Sequence, residues 1–347
     1  MRIAVISLGR RHAWALFGKE LAEALSERVS VSYIGSQEAD FIPEICESLL
    51  VHTGKNLWEN FFYFLNPLSK IRILRFLKRQ NPDLIIIPAR HPWLLCLLPL
   101  VRTKKLLIIH DAMRHRGEQS ALNDIIDRVL IRYSDVLCAL SAYTQALLEK
   151  RHPKKQSLFL FHPVFRRYQS IEGMPPPEKI PRKYLLFLGR FFAYKGLDLL
   201  IGAWKKLLPL FPDLHLVIAG TGPEKPAKAD RVFVIDRRLL DEEVAYLIDN
   251  ACCVVLPYTD ASQSGVIPVA FARGKAVVST KVGGLAEQVL HGKTGFLCNP
   301  DQEELSLTVR KFLELSDEEK RDLALGISER CQKWSWEQFV ERLLSLL

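Results

Sequence analysis

Leu188-Gly189-Arg190-Phe191-Phe192-Ala193-Tyr194-Lys195-Gly196-Leu197-Asp198 reads as a buried strand that ends in Gly-Arg and re-enters as a helix behind Lys-Gly. Glycines at such a junction let the backbone approach an anion closely. The start of a helix supplies unpaired amides aimed at that anion. Arg190 and Lys195 add two cations at the strand end, the edge at which open α/β sheets take their ligands. Two cations so placed suit a diphosphate held without a metal ion. The same spacing also fits an arginine and a lysine on an ordinary surface turn.

Two later junctions repeat the pattern. Leu256-Pro257-Tyr258-Thr259-Asp260-Ala261-Ser262-Gln263-Ser264-Gly265-Val266 leaves a strand and enters a helix through small polar residues. Val282-Gly283-Gly284-Leu285-Ala286-Glu287 does so again after the strand 276–279. Three strand-end loops with phosphate or hydroxyl chemistry in one half of the chain favour a nucleotide-type site.

Away from these loops, short apolar runs alternate with amphipathic stretches, which predicts repeated β-α units and parallel sheets. Expected strands in the second half are 184–188, 214–220, 232–236, 254–256 and 276–279. In the first half they are 3–7, 29–34, 84–88, 106–110 and 136–139, with helices at 15–25 and 123–133 among the intervening segments. The run Pro175-Pro176-Pro177 cannot join a sheet or a helix interior and marks a stiff linker. The expected division is residues 1–168, a Rossmann-like acceptor-side domain; 169–182, the linker; 183–334, a Rossmann-like nucleotide-sugar domain; and 335–347, a closing helix.

A chain of 347 residues with 48% hydrophobic residues is long and apolar enough for two cores. No run approaches the roughly 18 apolar residues of a membrane span, and the start lacks a secretory h-region. A cytoplasmic protein, with peripheral placement on the inner face of the membrane as an option, is expected. Seven cysteines without metal-knuckle spacing read as buried free thiols. The nine histidines do not cluster as metal ligands, so no metal site is expected. Residues 1–170 carry 25 Lys+Arg against 15 Asp+Glu, so the net charge of +9 belongs to the first half and favours anionic partners.

With these motifs in order, the chain resembles the family-four retaining glycosyltransferases. The resemblance runs through Gly189-Arg190 to Lys195-Gly196, then Ala219-Gly220-Thr221-Gly222-Pro223 and Leu256-Pro257. It continues in Gly274-Lys275, Gly283-Gly284 to Glu287 and His291-Gly292-Lys293-Thr294-Gly295. It covers nearly all of 184–347 and is thinner over 1–170, where Ile109-His110-Asp111 carries it. It implies the GT-B fold, two Rossmann-like domains facing each other across a cleft, and transfer from a nucleotide sugar without a cofactor or metal. The implied catalytic residues are His110, Arg190 and Lys195. Gly9, Gly189, Ser264, Gly265, Val266 and Glu287 are the implied donor contacts. The family's two acidic positions fall on Ala261 and Val269, and the loop instead resembles the Gln-Ser-Gly variant of one branch.

The acceptor side is read from charge. Residues 51–116 hold 12 Lys+Arg against 3 Asp+Glu. Trp58, Phe61, Phe62 and Leu65 fall at helical spacing, and Arg72, Arg75 and Arg79 form a stripe behind them. Either two helices pack on their own sheet with a solvated basic face, or they form a monotopic face on anionic lipid. The second would suit a lipid-linked acceptor. Asp111 and His115, after the strand end, join Arg72, Arg75 and Arg79 as acceptor-side candidates.

The leading functional expectation is therefore a glycosyltransferase acting on a glycan or lipid-linked acceptor in envelope or exopolysaccharide synthesis. An inactive relative serving as a binding or scaffold subunit is the alternative, motivated by Ala261 and Val269. Nucleic acid is not an expected partner, since no recognition-helix, zinc or base-stacking signature accompanies the basic half.

Overall fold

A computed structural model of the chain describes residues 1–10, 12–45, 47–111 and 120–347. Two compact units emerge, one from 1–111, 120–161 and 336–347, the other from His162–Ser335.

The first unit is built on a seven-stranded sheet: β1 (Arg2–Ser7), β2 (Ser30–Ser36), β3 (Glu47–Val51), β4 (Leu84–Ile87), β5 (Lys104–Ile109), β6 (Val136–Ala139) and β7 (Gln156–Phe159). All neighbours are parallel, in the order β3-β2-β1-β4-β5-β6-β7. The central strands are continuous apolar runs, such as Leu84-Ile85-Ile86-Ile87, because helices cover both faces of a parallel sheet. The second unit repeats the plan with β8 (Tyr184–Arg190), β9 (His215–Thr221), β10 (Val232–Asp236), β11 (Val254–Leu256), β12 (Val277–Thr280) and β13 (Gly295–Cys298). Its parallel order is β10-β9-β8-β11-β12-β13. In each sheet the winding reverses beside the first strand, between β1 and β4 and between β8 and β11, which is where such sheets open to ligands.

The alternating rhythm placed ten strands within a few residues of where they lie. β3, β7 and β13 lacked the signal: each is short and sits at a sheet edge, and the first two are only partly buried. His110 lies just past β5, not inside it. The closing helix Trp336–Ser345 belongs to the first unit. There Trp336 packs edge-on against Phe17 at 5.0 Å and its indole Nε1 donates to the buried Glu20 carboxylate at 2.5 Å. The proline-rich segment is fastened along the second unit, where the Met174 N–H reaches the Glu242 carbonyl at 3.0 Å and Glu178 pairs with Arg237 at 2.8 Å.

The cysteine reading needs correction. Cys138, Cys253 and Cys298 are buried free thiols, but Cys252 and Cys331 are only partly buried and Cys96, on the short helix Leu94–Leu97, is exposed. Cys46 lies outside the described residues. No helix among the described residues is long and apolar enough to cross a membrane.

Candidate functional site

The β8 turn is shaped by contacts that only glycine tolerates. Gly196 adopts φ +69° and caps the helix Leu197–Leu207, and a methyl group there would come within 1.9 Å of the Pro257 carbonyl oxygen. The turn after β8 therefore presses directly on the turn after β11. Hydrogen bonds from the Thr259 N–H (2.8 Å) and hydroxyl (3.3 Å) to the Tyr194 carbonyl lock the two together. Gly220 faces Gly189 across β8 and β9, where a methyl would fall 1.8 Å from the Gly189 oxygen.

Arg190 and Lys195 stand on this turn, backed by aromatic rings. The Lys195 Nζ lies 3.7 Å from the centroid of Tyr258 and 4.7 Å from that of Tyr194. The Arg190 guanidinium is 5.0 Å from the Phe192 ring and donates to the Tyr194 hydroxyl at 3.4 Å. Ring faces attract cations, so both charges are steered at modest cost in solvation. Lys195 is half-buried and Arg190 exposed, and among the described residues no carboxylate pairs with Lys195.

Tyr258 connects the cations to the next loop, its hydroxyl 3.4 Å from the Ser264 Oγ. That oxygen also accepts from the Val266 N–H at 3.3 Å, at the start of the helix Val266–Ala272. The Ser264 backbone is held by Gln288, which neighbours Glu287 on the short helix Leu285–Gln288. Gly189, Arg190, Lys195, Ser264, Gly265, Val266 and Glu287 thus sit on three linked junctions of one sheet. Ala261 and Val269 are 1% and 8% exposed, so the positions of the family's acids are filled by packed apolar side chains. What the loop offers instead is backbone and hydroxyl groups, with the exposed carboxylate of Asp260 beside Ala261 and the amide of Gln263.

The sequence reading passed over Tyr194, Tyr258, Gln288 and His162. His162 is buried and places its Nε2 3.9 Å from where a Gly265 Cβ would sit. Its Nδ1 donates to the Pro163 carbonyl at 3.0 Å, and burial lowers its pKa to about 4. Tyr194 adjoins Lys195 in the chain and could have been marked by that, whereas the nearness of Tyr258 to Lys195 is decided by the fold. Nothing in the sequence singles out Gln288 or His162.

The remaining candidates lie in the first unit. His110 is buried, its ring edge-on to Trp14 at 4.3 Å and to Phe17 at 5.1 Å. Its Nε2 meets the Pro88 carbonyl at 3.0 Å, and since a carbonyl can only accept, that nitrogen carries a proton. His110, Asp111 and the Arg90–Asp127 ion pair (3.1 Å) line a cavity of about 70 Å³ beside β5. Gly9 follows β1, where a methyl group would meet only the Trp14 Cβ at 3.5 Å, so the backbone there makes no demand for glycine. His115 lies outside the described residues.

The helix Pro67–Gln80 buries Ile73, Phe76 and Leu77 and turns Arg72, Arg75 and Arg79 to solvent. Arg79 lies over Phe76 and 3.7 Å from Glu47. On the preceding helix, Leu57–Leu65, Trp58, Phe62 and Leu65 are 81%, 77% and 61% exposed. These three side chains do not pack on the sheet, contrary to the first of the two readings of that stripe.

Two family models match the chain. Residues 18–159 match "Glycosyltransferase Family 4" and residues 182–315 match "Glycosyl transferases group 1". An uncharacterized glycosyltransferase of Methanocaldococcus jannaschii is 28% identical over 255 residues, 68% of this chain and 67% of that one. With other curated relatives the chain spans about half their length. Among solved structures, the sucrose-phosphate synthase of Thermosynechococcus elongatus superposes with a TM-score of 0.72 at 18% identity, over 99% of this chain and 98% of that one. HepE of Anabaena, solved in complex with UDP-glucose, gives 0.70 at 16% identity over the whole of both chains. The fold is of the GT-B class, with two parallel-sheet α/β domains.

Proposed function

Since the chain belongs to the family-four glycosyltransferases, we propose that it is a retaining enzyme whose nucleotide-sugar donor binds on the second unit. The observation that carries this is the pair Arg190 and Lys195 on the β8 turn, joined through Tyr258 to the Ser264–Val266 loop. The site faces the switch point of its sheet, and the structural neighbour HepE was solved with UDP-glucose.

In the reaction the bond between the sugar's anomeric carbon and the diphosphate oxygen breaks. The acceptor hydroxyl oxygen bonds that carbon from the same face, and its proton passes to the departing diphosphate. Arg190 and Lys195 oppose the negative charge that grows on the leaving oxygens, which is stabilisation of the transition state beyond ground-state binding. Ser264 and the Gly265 amide are assigned to the donor, with Val266 at the helix start beside them, Glu287 to its hydroxyls and His110 to the transferred sugar. No metal is required where two fixed cations already meet the diphosphate.

The acceptor is proposed to be glycan or lipid-linked, on the strength of the exposed face of the helices Leu57–Leu65 and Pro67–Gln80. Trp58, Phe62, Leu65 and Leu68 stand out into solvent there beside Arg72 and Arg75. Apolar groups fringed by arginines match an anionic lipid surface, whereas a second copy of the same basic stripe would be repelled.

The test is turnover of UDP- and GDP-sugars with excess chelator present. Product that keeps the donor's anomeric configuration is expected. Strict dependence on added magnesium, or an inverted product, would overturn the mechanism.

A further inference from the structure

Gln288 is 3% exposed, and its amide makes a closed pair of hydrogen bonds to one residue. Its Oε1 accepts from the Ser264 N–H at 2.7 Å, and its Nε2 donates to the Ser264 carbonyl at 3.0 Å. The two bonds determine each other, since swapping the ends of the amide would break both. The helix that carries Gln288 is itself anchored. Arg330 donates to the Glu287 carbonyl at 2.6 Å while its guanidinium lies 3.8 Å over the Trp334 ring.

The consequence reaches the next peptide. There are no cis bonds among the described residues, and in a trans peptide the carbonyl and the following N–H point in opposite directions. Drawing the Ser264 carbonyl toward Gln288 therefore turns the Gly265 N–H away from it. Among the described residues no group accepts from that N–H. Ser264 in turn steadies Tyr258, whose ring carries Lys195.

We infer that Gln288 is a positioning residue for donor binding: its buried amide clamps Ser264 and thereby aims the Gly265 amide and steadies the Tyr258–Lys195 stack. The inference rests on the assignment of the 259–266 loop to the donor. It explains why an amide serves here. A carboxylate would offer the Ser264 carbonyl only oxygen lone pairs and would add negative charge beside a bound diphosphate. An aliphatic side chain would leave both Ser264 groups unsatisfied in a buried place.

The probes are UDP and GDP, titrated calorimetrically against the full chain and against Gln288→Glu from pH 8 to pH 5. At pH 8 the ionised variant is expected to bind about 10- to 100-fold more weakly than wild type. As the pH falls, the buried carboxyl takes up a proton, regains a donor for the Ser264 carbonyl, and the ratio to wild type closes. Taking the ratio at each pH cancels what the diphosphate itself and the neighbouring charged and polar groups His162, Tyr258, Glu287 and Arg330 contribute, since all are present in both proteins. Gln288→Met, which has no proton to regain, is expected to stay weak throughout.

Equal affinity of Gln288→Glu and wild type at pH 8 overturns the inference. So does a deficit that is independent of pH and matched by a lowered melting temperature, because that is a packing effect. If Gln288→Glu does not fold, Gln288→Asn asks the same question with the reach shortened by one methylene. Weaker binding at an unshifted melting temperature supports the clamp, and unchanged binding removes it. Failure of wild type to bind UDP, GDP or their sugars would instead sink the donor-site assignment itself.

Discussion

Lys195 and Arg190 share a turn but not a setting. The lysine is half-buried over two tyrosine rings, while the arginine is exposed and touches the Tyr194 hydroxyl. A compact ammonium fits between those rings, and a planar guanidinium in its place would need the rings to separate. Replacing either cation by alanine is expected to lower kcat more than it raises KM, since the charge on the diphosphate grows as the glycosidic bond breaks. The loss in kcat/KM should be on the order of 100-fold, about 3 kcal/mol, by analogy with a lost oxyanion donor. Lys195→Arg should recover only part of it. Steady-state kinetics on the three variants check this, and normal turnover in any alanine variant would remove that cation from the reaction.

Elements set how closely these residues can meet. Gly196 and Gly265 both introduce helices, but only the first is constrained by its neighbours. A methyl at Gly196 would meet the Pro257 oxygen at 1.9 Å with φ +69°, whereas at Gly265 it meets only the His162 Nε2 at 3.9 Å with φ −71°. Gly196→Ala should therefore cost more than about 2 kcal/mol and lower the melting temperature by several degrees. Gly265→Ala should leave it nearly unchanged. Thermal denaturation of the two variants side by side decides the point. The helices Leu57–Leu65 and Pro67–Gln80 make the second element-scale prediction. Wild-type protein should sediment with vesicles containing anionic lipid, less so as salt rises, and Arg72→Glu with Arg75→Glu should release it. Wild type that ignores such vesicles at low salt would leave the exposed Trp58 and Phe62 without a lipid role.

At the scale of the whole molecule, each unit holds a buried neutral histidine. Burial lowers the pKa of His162 to about 4 and, with help from the Arg10 charge, that of His91 to about 3, both from an ordinary 6.5. The folded protein resists protonation that the unfolded chain accepts. Stability from these groups is complete above about pH 6.5 and is lost as the pH falls toward 4 and 3, by roughly 1.4 kcal/mol per histidine for each pH unit. Denaturant midpoints measured from pH 7.5 to 4.5 should fall accordingly, and His162→Phe should flatten the curve. A wild-type midpoint constant over that range would contradict it. The sequence by itself determined the two parallel sheets and the β8 motif, because buried strands, glycine turns and helix starts are local signals with fixed periods. The short edge strand β3 escaped it, since its Glu47-Ser48 half is polar and exposed and leaves too brief an apolar run. Only the tertiary structure decided that Trp336 packs with Phe17 and that Tyr258 carries Lys195. The same holds for Gln288 as the holder of Ser264, 24 residues distant. Such contacts join residues far apart in the chain, and no local pattern encodes which side chains a folded sheet will bring together.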